Sequence, residues 1–189
     1  MKKNIVIVIA ILFSASLSAL GQSKYFTRNG KVSFNVTAPS SPEKVEAKNE
    51  KANSVLDISS GQVEFAVLMK AFSFEKALME EHFNENYVES DKFPKATFKG
   101  NIKNQSEITW TKDGTYSAKL SGKLTIHGIT KDVETTGTFT VKGGVISAKS
   151  EFKVLLTDYG IEIPSLVQDK VSKQAIILVD ATYELLKTS

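Results

Sequence analysis

Hydrophobic and polar positions alternate along most of this chain. Tyr116, Ala118, Leu120, Gly122, Leu124 and Ile126 share one face of a run whose other face carries Lys119, Ser121, Lys123 and Thr125. After a short link, His127-Gly128-Ile129-Thr130-Lys131, the pattern resumes with Val133, Gly137, Phe139 and Val141. A period of two marks a strand with one buried face. The glycine in the link is free to take positive φ, so the two runs are predicted to form a long β-hairpin.

Shorter runs repeat the pattern on both sides. Val32, Phe34, Val36 and Ala38 alternate from residue 31 until Pro39-Ser40-Ser41-Pro42 breaks the strand. Residues 45–53 are rich in lysine and glutamate, which suits an exposed edge strand blunted by charge. Residues 54–58 and 62–69 predict a hairpin around Ser59-Ser60-Gly61, with Val63, Phe65, Val67 and Met69 on one face. Ala96, Phe98, Gly100 and Ile102 alternate next, and Asp113-Gly114 is a strong turn signal. Lys142-Gly143-Gly144 turns into residues 145–156, where Ile146, Ala148, Phe152, Val154 and Leu156 share a face with Ser150. Residues 159–171, containing Pro164, read as a loop. The last strand, 173–186, is apolar on both faces at Ile176, Ile177, Leu178 and Val179, as for barrel closure against a helix or the N-terminal segment.

One stretch changes period. Phe74, Leu78, Met79, His82, Phe83 and Tyr87 fall three to five residues apart, with Glu75, Lys76, Glu80, Glu81 and Glu85 between them. This spacing predicts an amphipathic helix over 73–86 with Ser73 as its N-cap. It either plugs a barrel mouth or covers a sheet edge. The sum is an all-β chain, a curved antiparallel sheet or barrel of about eight strands with one helix, whose interior either packs solid or holds one small ligand. Gly100, Gly122 and Gly137 fall on the inward register. They mark curvature or room for a ligand, and both readings stay open.

Composition changes this picture at the N-terminus. Lys2 and Lys3 precede an apolar core over 5–13, small residues, and an Ala19-Leu20-Gly21 cleavage pattern. Residues 1–21 are expected to be a cleaved secretory signal peptide, and 22–189 one periplasmic or secreted domain. No cysteine follows the apolar run, so a cysteine-linked lipid anchor is excluded. The formal charge of +3 also shrinks: without Lys2 and Lys3 the 24 basic residues become 22, against 21 acidic ones. That balance removes the argument for a nucleic-acid partner. With no cysteine, the fold rests on its core and strand ladder, and thiol chemistry is excluded.

No catalytic constellation emerges, and no metal site or cofactor is expected. His82 and His127 lack a spaced carboxylate partner and read as structural histidines. Asp158 reads as a turn carboxylate accepting backbone N–H bonds rather than a general base. No serine lies in a Gly-x-Ser-x-Gly elbow and no glycines form a phosphate loop.

Three segments carry a resemblance. Gly122-x-Leu-Thr-Ile-His-Gly-Ile-Thr-Lys-x-Val133 resembles the signature turn of the YceI-like family. Ser90-Asp-Lys-Phe-Pro-Lys-Ala-Thr-Phe98 resembles its S-x-x-F-P-x-A-x-F segment, and Phe152 to Asp158-Tyr159-Gly160 its F-x(7)-D-(F/Y)-G segment, here with five residues between the phenylalanine and the aspartate. Order and spacing fit along roughly residues 62–185. The first strand departs from the family's F-x-V-x-H, with Ala38 where the histidine would stand. The resemblance implies a lipocalin-like barrel that holds an isoprenoid chain; an enzyme, which would need a polar cluster around Asp158 and His127, is not expected from the residues. On the registers above, the inward set is Phe34, Phe65, Val67, Phe98, Leu120, Leu124, Phe139 and Phe152, with Leu78 and Phe83 from the helix. For any single residue a packed core explains the position. For the set, the resemblance implies the wall of a site for a polyisoprenoid or quinone-like lipid, carried or sequestered in the periplasm. The alternative is a ligand-free envelope or stress-response protein with a packed interior. Transient membrane contact and a homodimeric state stay open on either reading.

Overall fold

The computed structural model describes residues 23–186; the expected signal peptide, 1–21, lies outside the described residues. The strands are β1 (Lys24–Thr37), β2 (Glu46–Asp57), β3 (Gln62–Leu68), β4 (Ser73–Phe74), β5 (Lys95–Ile102), β6 (Gly114–Ile126), β7 (Ile129–Lys142), β8 (Val145–Leu155) and β9 (Val171–Leu185). Helix α1 (Ala77–His82) runs directly into one wider π-type turn, Phe83–Tyr87. All strand pairs are antiparallel, in the order β1-β2-β3-β5-β6-β7-β8-β9. Because β1 also pairs with β9, the eight strands close into a barrel, with β4 a two-residue addition to β2. Closure leaves these strands no continuous free edge.

The central hairpin forms as its pattern predicts. Ile126 faces Ile129 across a two-residue loop in which His127 has φ 50° and Gly128 φ 73°. Two left-handed residues in succession make the mirror-image turn whose twist matches the strands it joins. The β7–β8 turn repeats this with Gly143 and Gly144.

Residues 45–53 are not an edge. They lie mostly in β2, which pairs with β1 along its length and with β3 and β4 on its other side. Ala47 and Asn49 point inward, then Ala52, Ser54 and Leu56. The register shift opposite Gly30 switches the inward parity from odd to even. Small and polar inward residues together with a bulge erase the apolar alternation, and the charges decorate the outer face. Asn49 holds the bulge: its amide donates to the Leu68 carbonyl at 2.9 Å and its Oδ1 accepts from the Lys51 N–H at 2.8 Å. Asn49 is 1% exposed, so Asn49→Leu removes both bonds and leaves the Leu68 carbonyl and the Lys51 N–H without this partner. It is expected to lower stability by about 2–4 kcal/mol, read as a shifted urea midpoint at unchanged slope.

Strand β9 closes against the N-terminal strand, as one of the two sequence readings has it. Among the described residues no helix covers its outer face, where Leu178 is 42% exposed. The outward β-branched and aliphatic residues there suit a pleated surface rather than burial.

The end of the barrel away from α1 holds a second buried cluster. Leu56, Val63, Ala118, Phe139, Ile146 and Tyr183 form its centre, and Trp110 meets Phe139 edge-on at 5.1 Å to close it. Tyr183 donates its hydroxyl hydrogen to Ser54 Oγ at 2.9 Å, and Ser54 donates to the Glu64 carbonyl. Burial pushes the Tyr183 phenol up to about 12, with the Ser54 bond acting in the opposite sense.

The inward glycines mark close backbone approach. Gly100 sits opposite Gly122, and a Cβ on Gly122 would lie 2.4 Å from the Lys99 carbonyl oxygen and 2.5 Å from Gly100 Cα. Gly137 is similarly tight against the Lys149 carbonyl, at 2.6 Å. Close approach of neighbouring strands accounts for Gly100 and Gly122, while Gly137 also lines a space inside the barrel.

Candidate functional site

Four connections gather at the other end of the barrel: residues 38–45, 69–94, 127–128 and 156–170. Beneath them the interior opens into a chamber of about 360 Å³. A smaller chamber of about 110 Å³ lies deeper and shares Val32, Val67, Ala96, Phe152 and Ile177 with it. The two are successive spaces inside one barrel.

Most of the inward set lines these spaces. Phe34, Phe83 and Leu124 face the larger chamber; Phe65, Phe98, Leu120 and Phe139 face the deeper one; Val67 and Phe152 face both. Leu78 is the exception. It is 60% exposed and lines neither chamber. The reason is a later helix start than the spacing predicts. Ser73 and Phe74 form β4 against Lys48 and Ala47, so Ser73 does not cap the helix. The first helical residue is Ala77, preceded by Lys76 with no side-chain cap, while the Phe74 N–H donates to Glu80 Oε2 at 3.3 Å. With Phe74 in a strand, Leu78 loses its i−4 partner, and α1 turns Met79 and Phe83 inward instead.

Phe34, Phe72, Phe74 and Phe83 form one aromatic cluster beneath α1. Phe34 and Phe83 stack at 5.3 Å, Phe34 meets Phe72 edge-on at 5.2 Å, and Phe74 lies 5.1 Å from Phe83. Offset and edge-on pairs of this kind add to the burial of the rings themselves. Sequence reasoning misses Phe72 as a wall residue, although Phe72 and Phe74 alternate. It also misses Ile161 and Ile163, which line the chamber from a segment read as loop. Their period-two spacing just before Pro164 is the signal that marks them.

Among the described residues the polar groups of the lining belong to Glu43, His82, Tyr87 and Lys170. Lys76 at the start of α1 pairs with Glu43, tying the helix to the 38–45 connection, and the carboxylate raises the lysine's pKa.

The signature turn is a structural tie. His127 Nδ1 lies 3.1 Å from the Tyr159 carbonyl and Nε2 lies 3.0 Å from Glu89 Oε2, with the Phe93 ring edge-on at 4.6 Å. One side chain thus joins three of the four connections. A Cβ on Gly128 would strike Phe93 at 2.5 Å, and the residue's φ is positive, so only glycine fits. Lys92, then His127, hold the Glu89 carboxyl below its usual range. Asp158 is exposed, and no backbone N–H bond to its side chain is found among the described residues; Gly160 N–H bonds the Thr157 carbonyl at 3.1 Å instead. No cluster of metal-ligating side chains occurs among the described residues.

A depressed Glu89 pKa has a defined sign. The ionised group stabilises the fold above the ordinary glutamate range, and the contribution is lost as pH falls through the depressed value. Wild type is therefore expected to exceed Glu89→Gln in stability at neutral pH. The gap should narrow in acid below the usual carboxylate range, read from urea melts at the two pH values. A gap independent of pH would reject the ion-pair account of the tie.

A closed eight-stranded antiparallel barrel with an apolar chamber opening at one end defines a lipocalin-like barrel. The chain belongs to the YceI-like family, whose domain model matches residues 22–182. Among solved structures it resembles a polyisoprenoid binding domain from Saccharophagus degradans implicated in plant cell wall breakdown, with a TM-score of 0.75 at 11% identity, covering 88% of this chain and 100% of that one. It also resembles BcnA of Burkholderia cenocepacia, at 0.65 and 15% identity, covering 82% and 96%. A YCEI protein of Campylobacter jejuni matches at 0.53 and 18% identity, covering 72% and 83%. At these identities the likeness is one of fold. No curated protein sequence matches the chain.

Proposed function

We propose that this protein binds a long apolar lipid, a polyisoprenoid or quinone-like molecule, inside the barrel, for carriage or sequestration in the periplasm. The observation that carries the reading is the chamber of about 360 Å³ with an almost wholly apolar wall. Its volume falls in the range of small-molecule sites, roughly 300–1,000 Å³. A chamber of this size with apolar walls leaves those walls facing water or nothing at all, which weighs against an interior that merely packs. Filling it is favourable: each buried methylene is worth about 0.8 kcal/mol, and a five-carbon isoprene unit a few kcal/mol before ordering costs. Membership of the family and the likeness to a polyisoprenoid binding domain support the same reading. Binding here is burial, with no bond made or broken. The segment 1–21 would direct the chain to the periplasm, and α1 with the 156–170 connection forms the lid under which cargo passes.

Native mass spectrometry of the protein purified gently from its envelope fraction, followed by organic extraction, tests this. A co-purifying apolar species near one per chain is the expected result. An apo mass that added prenyl lipids fail to shift would return the lead to a ligand-free role.

A further inference from the structure

The charge of the barrel is divided along its axis. The four connections at the chamber end carry ten carboxylates and five lysines, while the rest of the described residues carry eleven carboxylates and sixteen lysines and arginines. Three of the five lysines are already paired: Lys70 with Asp91, Lys76 with Glu43, and Lys92 with Glu89. That leaves Lys44 and Lys170 without an ion-pair partner among the described residues, and of these only Lys170 touches the chamber. Against them stand Glu75, Glu81 and Glu85 on and beside α1, and Asp158, Glu162 and Asp169 on the 156–170 connection. A lipid that buries its tail in the chamber leaves its polar end at this mouth.

We infer that the polar end of the cargo carries no negative charge: the site takes a long-chain prenyl alcohol, quinone or comparable neutral lipid, and discriminates against the phosphate or diphosphate ester of the same chain. The inference rests on the lipid-binding reading above. A phosphate monoester brings a charge of about −1.5 to −2 and needs several charge-assisted donors to replace its water. Two exposed lysines within a net negative rim, only one of them on the chamber, do not supply them. The rim's charges lie on three neighbouring segments, 38–45, 69–94 and 156–170, and their fields add over a Debye length of about 10 Å. A hydroxyl or quinone oxygen keeps its water at the mouth and meets no such opposition.

The test compares geranylgeraniol with geranylgeranyl monophosphate, equal in chain length, binding to the purified protein by native mass spectrometry and competition titration. The alcohol is expected to bind at least about tenfold more tightly, with the gap closing as ionic strength rises. The double variant Glu81→Lys, Glu85→Lys, which alters no chamber-lining residue, should strengthen phosphate binding and leave alcohol binding unchanged. Equal or tighter binding of the phosphate to the unaltered protein would overturn the inference while leaving the lipid-binding reading in place. Failure of both probes to bind would instead remove that reading, and this inference with it.

Discussion

Phe83→Asp should abolish lipid retention, and Leu78→Asp should leave it intact. Both residues sit on the same short helical segment, and both belong to the apolar stripe that helical spacing predicts. Phe83 lines the larger chamber and packs against Phe34, Phe72 and Phe74; Leu78 is 60% exposed. Replacing the ring removes roughly 1.5–3 kcal/mol of apolar contact and puts a carboxylate where a methylene chain must lie. Together these are expected to weaken retention by about a hundredfold or more. The Leu78 change adds a charge to a surface that already carries several. Far-ultraviolet circular dichroism establishes that both variants fold, and lipid content per chain after gentle purification gives the result. Equal retention in the two would mean that α1 is not a wall of the site.

This pair of variants also isolates where the pattern of the sequence stops being sufficient. The barrel is legible because its strands have one buried face, and a period of two survives point departures such as Ser150. Strand β2 is harder to read. Four of its five inward residues, Ala47, Asn49, Ala52 and Ser54, are small or polar, Leu56 being the exception, and a bulge changes their parity midway. The helix is legible in existence and not in phase. Phe74 fits both a helical stripe with Leu78 and a strand alternation with Phe72, and pairing with Ala47 decides for the strand. A single π-type turn then moves Tyr87 relative to a regular helix. The chamber is the least legible feature, because periodicity reports which way a side chain points and not whether its neighbours reach it. Ala118 and Ile146 point inward on the same evidence as Leu124, yet only a three-dimensional account separates the residues that pack from those that line a chamber.

Gly122→Val is expected to prevent the barrel from closing properly, costing roughly 4 kcal/mol or more. The new Cβ would fall 2.4 Å from the Lys99 carbonyl oxygen and 2.5 Å from Gly100 Cα, both backbone atoms that no rotamer change can move aside. Relief requires β5 and β6 to separate at the rung where Gly100 faces Gly122. Two residues along the same ladder Phe98 faces Leu124, and both side chains line the chambers. The strain therefore falls on the wall of the site as well as on the fold, and any folded fraction should also retain less lipid. Gly143→Ala is the matched control. Gly143 has positive φ, but a Cβ there meets nothing within 4 Å, so the cost is the conformational one alone, about 1–2 kcal/mol. Urea midpoints order the two: a small shift for Gly143→Ala, and a transition at far lower denaturant or no folded baseline for Gly122→Val. A Gly122→Val midpoint equal to that of Gly143→Ala would mean that the strands give way easily at this rung, and that the paired glycines are not what sets the curvature around the chamber.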